Sequence, residues 1–465
     1  MTTPYWVPDA IFYQIFPDRF ANGDPDNDPP NVVPWGSPPT LHGFQGGDLR
    51  GIIQRFDYLL ELGINALYLN PIFASPSTHR YNTSDYYQID PKLGTLADFR
   101  ALLDLAHRNG VRIILDGVFN HCGRGFFAFA DVLENEAESP YRDWFHIKHF
   151  PLDAYTPGEA QNYLGWWNHK SLPKFNTDNP HVRRYLLDVA RYWIDQGADG
   201  WRLDVPNEID DDDFWAEFRQ VVKSANRDAY LLGEIWTIDP RWANDSHFDG
   251  LMNYPFRDAL LRLLYAGTLD MPHFIEKIEG LLTAYPPENV YAMYVPLGSH
   301  DTERLFTKME GNTDKVKLAF LLQMAYPGAP AIYYGDEIGL PGGKDPDCRR
   351  AFPWERREWH LELQHWVRTL IRLRKQSPAL RRGEYKRLFA DPHNGHFAFA
   401  RILGEEKILV AINASGSPQQ FQIPCAPLGW SDGQIVRNLI TGQKYTVEGK
   451  KFQVKLPAWS GMWVA

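Results

Sequence analysis

Four carboxylates stand at the ends of short apolar runs: Asp116 in DGVFNH, Asp204 in GWRLDV, Glu234 in LLGEIW and Asp301 in VPLGSHD. A buried ionised carboxylate is costly unless it is paired, so an acid in such a run has a partner or a job. One such acid alone reads equally well as half of a salt bridge at a strand end. Four converging on one mouth repel one another and are hard to explain as structure. Asp204 and Glu234 are separated by one strand–helix unit, which places them on neighbouring strands, about 4.8 Å apart. Double displacement at a glycosidic carbon needs a carboxylate nucleophile and a carboxylic acid about 5–5.5 Å from it. Arg202 lies two residues before Asp204 and shares its face of the strand. A guanidinium there keeps Asp204 ionised. Glu234, among apolar neighbours, is expected to hold its proton to higher pH, as an acid catalyst must.

These residues act together only if one fold gathers them. Eight apolar, β-rich runs begin at Ile11, Ile64, Val111, Gly200, Tyr230, Gly250, Tyr291 and Ala331, with amphipathic stretches between them. Near-continuous apolar strands point to a parallel sheet covered on both faces. Eight of them alternating with helices predict an α/β fold, a (β/α)8 TIM barrel whose reactive residues lie at the C-terminal strand ends. Asp210 to Asp213 precede Phe214, Trp215, Phe218, Val221 and Val222 at helical spacing. That acidic run is read as a capped helix start rather than a metal site. About 55 residues between the third strand and Asn179 show no clear period, and a loop so long is normally functional or a small domain of its own. From about Arg381 short alternating strands replace helices, which reads as an antiparallel β-sandwich. The expected division is a barrel over 1–121 and 176–380, an inserted domain over 122–175, and a C-terminal sandwich over 381–465.

The bulk properties exclude several classes. The net charge of −10 disfavours nucleic acid as a partner. No apolar stretch is long enough to span a membrane, and the first residues, MTTPYWVPDA, lack a basic segment followed by an apolar one. Cys122, Cys348 and Cys425 are three, widely spaced and without CxxC, which suggests neither a disulfide framework nor a zinc site. A cytoplasmic location is the simplest expectation, and a secreted mature form is compatible with the same features.

The motifs around the four acids resemble the main sequence regions of the α-amylase family of glycoside hydrolases. GINALYLNPIF from Gly63 and GAPAIYYGDEIGL from Gly328 resemble two further family segments. LPKFNTDNP, from Leu172, is similar to the segment marking the neopullulanase, cyclomaltodextrinase and maltogenic amylase branch. The resemblance implies that Asp204 is the nucleophile, Glu234 the acid/base and Asp301 a stabiliser of the transition state. It implies that His121, Arg202 and His300 hold the sugar in the cleavage subsite and that Tyr86 stacks on it. Asp345 and Arg349 would bond the next sugar, and Asp116 would support Arg202. The implied substrate is an α-glucan, with α-1,4 and also α-1,6 bonds in range. A transglycosylase using the same intermediate and a non-catalytic carbohydrate-binding relative are the alternatives. A phosphosugar barrel would need a Gly-rich phosphate loop near strands seven and eight, where YYGDEIG ends in acids.

The segment ANGDPDNDPP packs Asn22, Asp24, Asn27 and Asp28 into seven residues. Composition alone favours an Asx- and Pro-rich turn. The family resemblance implies instead a structural Ca2+ held there, with Gly46 and Asp48 of a later Gly-x-Asp completing the set. Members of that branch usually carry an N-terminal β-domain that helps to form their dimer. The first barrel strand here begins by about Ile11, so the expectation is a monomer, or a dimer built on another surface, with a more open cleft.

Overall fold

The computed structural model describes residues 3–391 and 394–465. All eight expected strands form: β1 Phe12–Ile15, β2 Ala66–Leu69, β3 Arg112–Gly117, β4 Gly200–Leu203, β5 Tyr230–Gly233, β6 Gly250–Leu251, β7 Tyr294–Pro296 and β8 Ala329–Tyr333. They pair in parallel in the order β6-β5-β4-β3-β2-β1-β8-β7. A bridge between Met252 and Tyr294 brings the two outer strands together and closes the barrel. The sequence shows no alternation of polar and apolar residues here because both faces are buried. Phe12, Tyr68, Ile114, Tyr230, Leu232 and Tyr294 fill the interior. Tyr13, Leu67, Leu69, Ile113, Leu115, Trp201 and Leu203 pack outward beneath the helices. Period two therefore turns Asp116, Arg202 and Asp204 inward. The β3–β4 register sets Asp116 directly opposite Arg202. That register needs Gly200, since a Cβ there would lie 2.1 Å from the Tyr230 carbonyl oxygen.

The helices carry the caps that their sequences announce. Asp211 caps Asp212–Ala225 by accepting the Phe214 N–H, so the acidic run is a helix start. Thr95 and Asp98 form a capping box on Leu96–Arg108.

The segment after β3 contains a helix, Phe127–Asn135, and isolated bridges that include His121 to Lys174 and Gly165 to Pro173. Rings hold it together: Phe126, Phe129, Phe145, Tyr163 and Phe175 pack on one another. No period runs through it because short turns, not regular elements, space its buried residues.

Beyond the last barrel helix, β9 Glu384–Asp391, β10 His396–Leu403, β11 Glu406–Asn413 and β14 Ser460–Val464 form an antiparallel sheet. A second pair, β12 Gln419–Pro424 and β13 Lys451–Leu456, covers one face over Ala398, Ala400, Leu409 and Ala411. The other face, with Phe397, Phe399, Val410, Ile412 and Trp463, is continuous with the barrel's outer core. All three cysteines are free and buried. Among the described residues no helix is long and apolar enough to cross a membrane.

Candidate active site

One guanidinium organises the mouth of the barrel. Arg202 is fully buried, and its Nη1 donates to Asp116 Oδ1 at 2.8 Å and to Asp204 Oδ1 at 2.9 Å. Its Nη2 lies 2.8 Å from Glu234 Oε1, an ion pair by distance but not aligned as a hydrogen bond. Asp204 and Glu234 continue neighbouring strands β4 and β5, where Leu203 faces Gly233. Val205, just past Asp204, is held at φ 36 and ψ 51, a left-handed conformation that a β-branched residue rarely takes. Its N–H donates to Glu234 Oε2 at 3.0 Å. Such strain at a mouth is characteristic of residues held in place for function.

Burial raises both carboxylic acids, Glu234 to about 7, while Arg202 pulls both down. The two are close enough to titrate together. The guanidinium hydrogen-bonds Asp204 and only approaches Glu234, so the shared proton belongs on Glu234. That leaves an ionised oxygen at Asp204 and a proton donor at Glu234. Trp236 Nε1 is 3.3 Å from Glu234 Oε1, and its indole stacks on Tyr254 with centroids 3.7 Å apart.

Asp301 sits between two cations or donors. His300 Nε2 is 3.1 Å from its Oδ2, and Arg349 Nη2 is 3.3 Å from its Oδ1. Burial holds His300 well below the usual imidazole range, so it is neutral. Gln14 Nε2 meets its Nδ1 at 2.9 Å, which places the ring proton on Nε2. That nitrogen meets Tyr81 Oη at 2.6 Å, and Tyr81 in turn donates to Asp116 Oδ2 at 2.7 Å. The chain Gln14–His300–Tyr81–Asp116–Arg202 thus couples the stabilising acid to the nucleophile's support. His121 is also neutral, lowered to about 3 by burial, and its Nε2 has no protein partner. Asp345 pairs with Arg349 at 3.0 Å and borders a side cavity of about 420 Å³ that includes Asp301.

The structure brings together Asp204, Glu234, Asp301, Arg202, His121, His300 and Arg349. Tyr86 is a correction. Its side chain is fully buried, ringed by Phe73, Phe126, Phe175 and Tyr185, and its hydroxyl donates to the Val118 and His121 carbonyls. It has no face to offer a sugar. The tyrosine at the mouth is Tyr81, whose ring stacks parallel to His300 at 5.4 Å. Tyr81 and Tyr254 carried no sequence signal. Trp236 did: it lies two residues past Glu234, on the same side of an extended chain.

The acidic loop lies behind β1. Asn22 Nδ2 donates to both oxygens of Asp28, at 2.9 and 3.0 Å. Asn22 Oδ1 and Asn27 Oδ1 are buried without a donor. Gly46, at φ 81, closes over them, and a Cβ there would lie 2.2 Å from Asp28 Oδ1. Asp48 is committed elsewhere, accepting from the N–H groups of Gly23, Asp24 and Gly51, and Asp24 pairs with Arg50. Among the described residues no three His, Cys, Asp or Glu side chains cluster as a metal site. The donors that remain, two orphaned amide oxygens and the Asp28 carboxylate, are hard oxygens of the kind Ca2+ takes.

Comparison with known proteins agrees with this geometry. Residues 14–375 match the family described as "Alpha amylase, catalytic domain", and residues 385–463 match "Neopullulanase-like, C-terminal domain". A cyclomaltodextrinase of Geobacillus thermopakistaniensis is 46% identical over 456 residues, 98% of this chain and 76% of that protein. Neopullulanase 2 of Thermoactinomyces vulgaris is 45% identical over 459 residues, 98% of this chain and 77% of that one. The solved cyclic α-maltosyl-(1→6)-maltose hydrolase of Arthrobacter globiformis superposes with a TM-score of 0.91 at 41% identity, covering 100% of both chains. The chain belongs to the α-amylase family of glycoside hydrolases, enzymes that hydrolyse α-glucans.

Proposed function

We propose that the protein is a retaining hydrolase of maltodextrins, cyclodextrins, pullulan and starch, cleaving α-1,4 bonds and also α-1,6 bonds. The observation that carries this reading is one buried guanidinium shared by two carboxyl groups on adjacent strand ends. Asp204 attacks the anomeric carbon while Glu234 protonates the departing glycosidic oxygen, which forms a glycosyl ester on Asp204. Glu234, now ionised, takes a proton from water, and the hydroxide displaces the ester with a second inversion. Asp301, aligned by His300 and Arg349, bonds sugar hydroxyls as positive charge develops on the ring. One relative acts on a ring that contains (1→6) links, so such links are compatible with a site of this family. Product analysis on pullulan and β-cyclodextrin tests the reading. Panose and a linear maltoheptaose, both released as α-anomers by NMR, are expected. An initial β-anomer would exclude double displacement.

Calcium belongs to the same proposal. Asn22, Asn27 and Asp28, beside Gly46, would hold it, and it would pin the loop that follows β1. Ca2+ at a hundred times its Kd stabilises the native state by about 2.7 kcal/mol. Chelation is therefore expected to lower Tm, and Asp28→Ala to remove the dependence of Tm on added calcium. A purified protein that contains no calcium by metal analysis, and melts identically with and without chelator, would refute the site.

A further inference from the structure

A column of parallel rings runs outward from the site. His121 stacks on Trp166 at 5.5 Å and 22°, and Trp166 on Trp167 at 4.5 Å and 11°. Trp167 has one face on Trp166, and its side chain is 72% exposed. Its backbone sits at φ 46 and ψ 35, and Asn168 follows at φ 61. Bulky residues avoid this conformation. Here it is over-determined by four backbone hydrogen bonds: Trp166 N to Leu172 O, Ala160 N to Asn168 O, Asn168 N to Gly165 O and His169 N to Trp166 O. Neither burial nor local preference accounts for an indole at 167. A glycine would suit the turn better, and the side chain covers little core.

Pyranose rings present flat C–H faces that pack on indoles much as aromatic partners do. We propose that Trp167 is a glucan-binding platform, holding a sugar beyond the one beside His121 and so setting a preference for longer chains. The inference rests on the reading of Asp204 and Glu234 given above. Trp236, bonded to Glu234 and 47% exposed, offers a second indole from a different element. The two would hold different parts of one chain.

Kinetics across maltotriose to maltoheptaose test it. Stacking of ordinary strength corresponds to about a three- to tenfold change in binding. Trp167→Ala is expected to raise KM for maltoheptaose by about that factor, while leaving kcat, and KM for maltotriose, within about twofold. Trp167→Phe should recover most of the loss. Trp167→Gly should show the same KM defect with an unchanged or higher Tm, because it relieves the strain. In a Glu234→Gln background, maltoheptaose should quench indole fluorescence less once Trp167 is replaced. An unchanged KM for maltoheptaose, a uniform fall in kcat on all chains, or a drop in Tm for Trp167→Gly would overturn the proposal. A wild type that cleaves no α-glucan overturns the reading of the carboxylates and this inference with it. A wild type that cleaves them with Trp167→Ala unaffected overturns the inference alone.

Discussion

Asp204→Asn and Glu234→Gln should each lower kcat/KM on maltodextrins by about 10⁴-fold or more, the usual scale for removing a residue that makes or breaks bonds. Four factors of ten correspond to about 5.4 kcal/mol of transition-state stabilisation. The two losses have different characters. Fluoride leaves α-maltosyl fluoride without needing protonation, so Glu234→Gln should release a burst of fluoride and then stall, lacking the base for the second step. Asp204→Asn should give no burst, because no ester can form. The wild type adds a pH signature. Burial raises Glu234 to about 7, so the acid form is lost as pH rises through that value and kcat/KM should fall there. Below it the proton is present and the limb is flat until Asp204 itself is protonated. Circular dichroism and Tm should stay near wild type for both isosteric variants. Activity within tenfold of wild type for either would remove the assignment.

Arg202→Met is expected to lower both stability and catalysis. Its guanidinium offsets Asp116, Asp204 and Glu234 in a fully buried setting. Removing one partner of a buried ion cluster costs about 3–5 kcal/mol, because the remaining charges are left uncompensated. At about 2.1 cal/mol/K of unfolding entropy per residue, a chain of this length loses about 1 °C of Tm per kcal/mol, so a fall of about 3–5 °C is expected. The pH dependence distinguishes this from a cavity effect. Without the cation, the folded-state values of the three acids rise further above their unfolded values. Stability from groups so raised is present at low pH and lost as pH increases through the folded values. The Tm deficit should therefore be larger at pH 8 than at pH 5. A deficit that is constant with pH would show that Arg202 acts by packing alone.

The acids were legible in the sequence because parallel barrels gather function at strand ends and because period two fixes the facing of Arg202 and Asp204. Arg202's third partner, Glu234, was not, since contact across β4 and β5 depends on how far each side chain reaches. The exchange of Tyr86 for Tyr81 has a similar cause. Both lie in HRYNTSDYYQID, and which ring faces the mouth is set by a short antiparallel pair, Phe73–Ala74 with Asp85–Ile89, whose register shifts midway. No periodicity reports such a shift. Trp166 and Trp167 were hidden for a related reason: the segment that carries them is built from turns and isolated bridges. The acidic loop was read from composition and resemblance. Composition could not show that Asp48 accepts from three backbone N–H groups, or that Asn22 Oδ1 and Asn27 Oδ1 are left without a donor.

The C-terminal sheet turns one apolar face to β12 and β13 and the other to the barrel. Arg401, buried within it, donates to the Ala325 carbonyl at the end of a barrel helix and to Gly383 at the junction. Arg374, on the last barrel helix, reaches back to Met324, Gly328 and Leu380. A module bound in this way is not portable. Cut free, it would show water a row of large rings and leave Arg401 without the Ala325 carbonyl. It is better regarded as the keystone of the catalytic body than as an appendage.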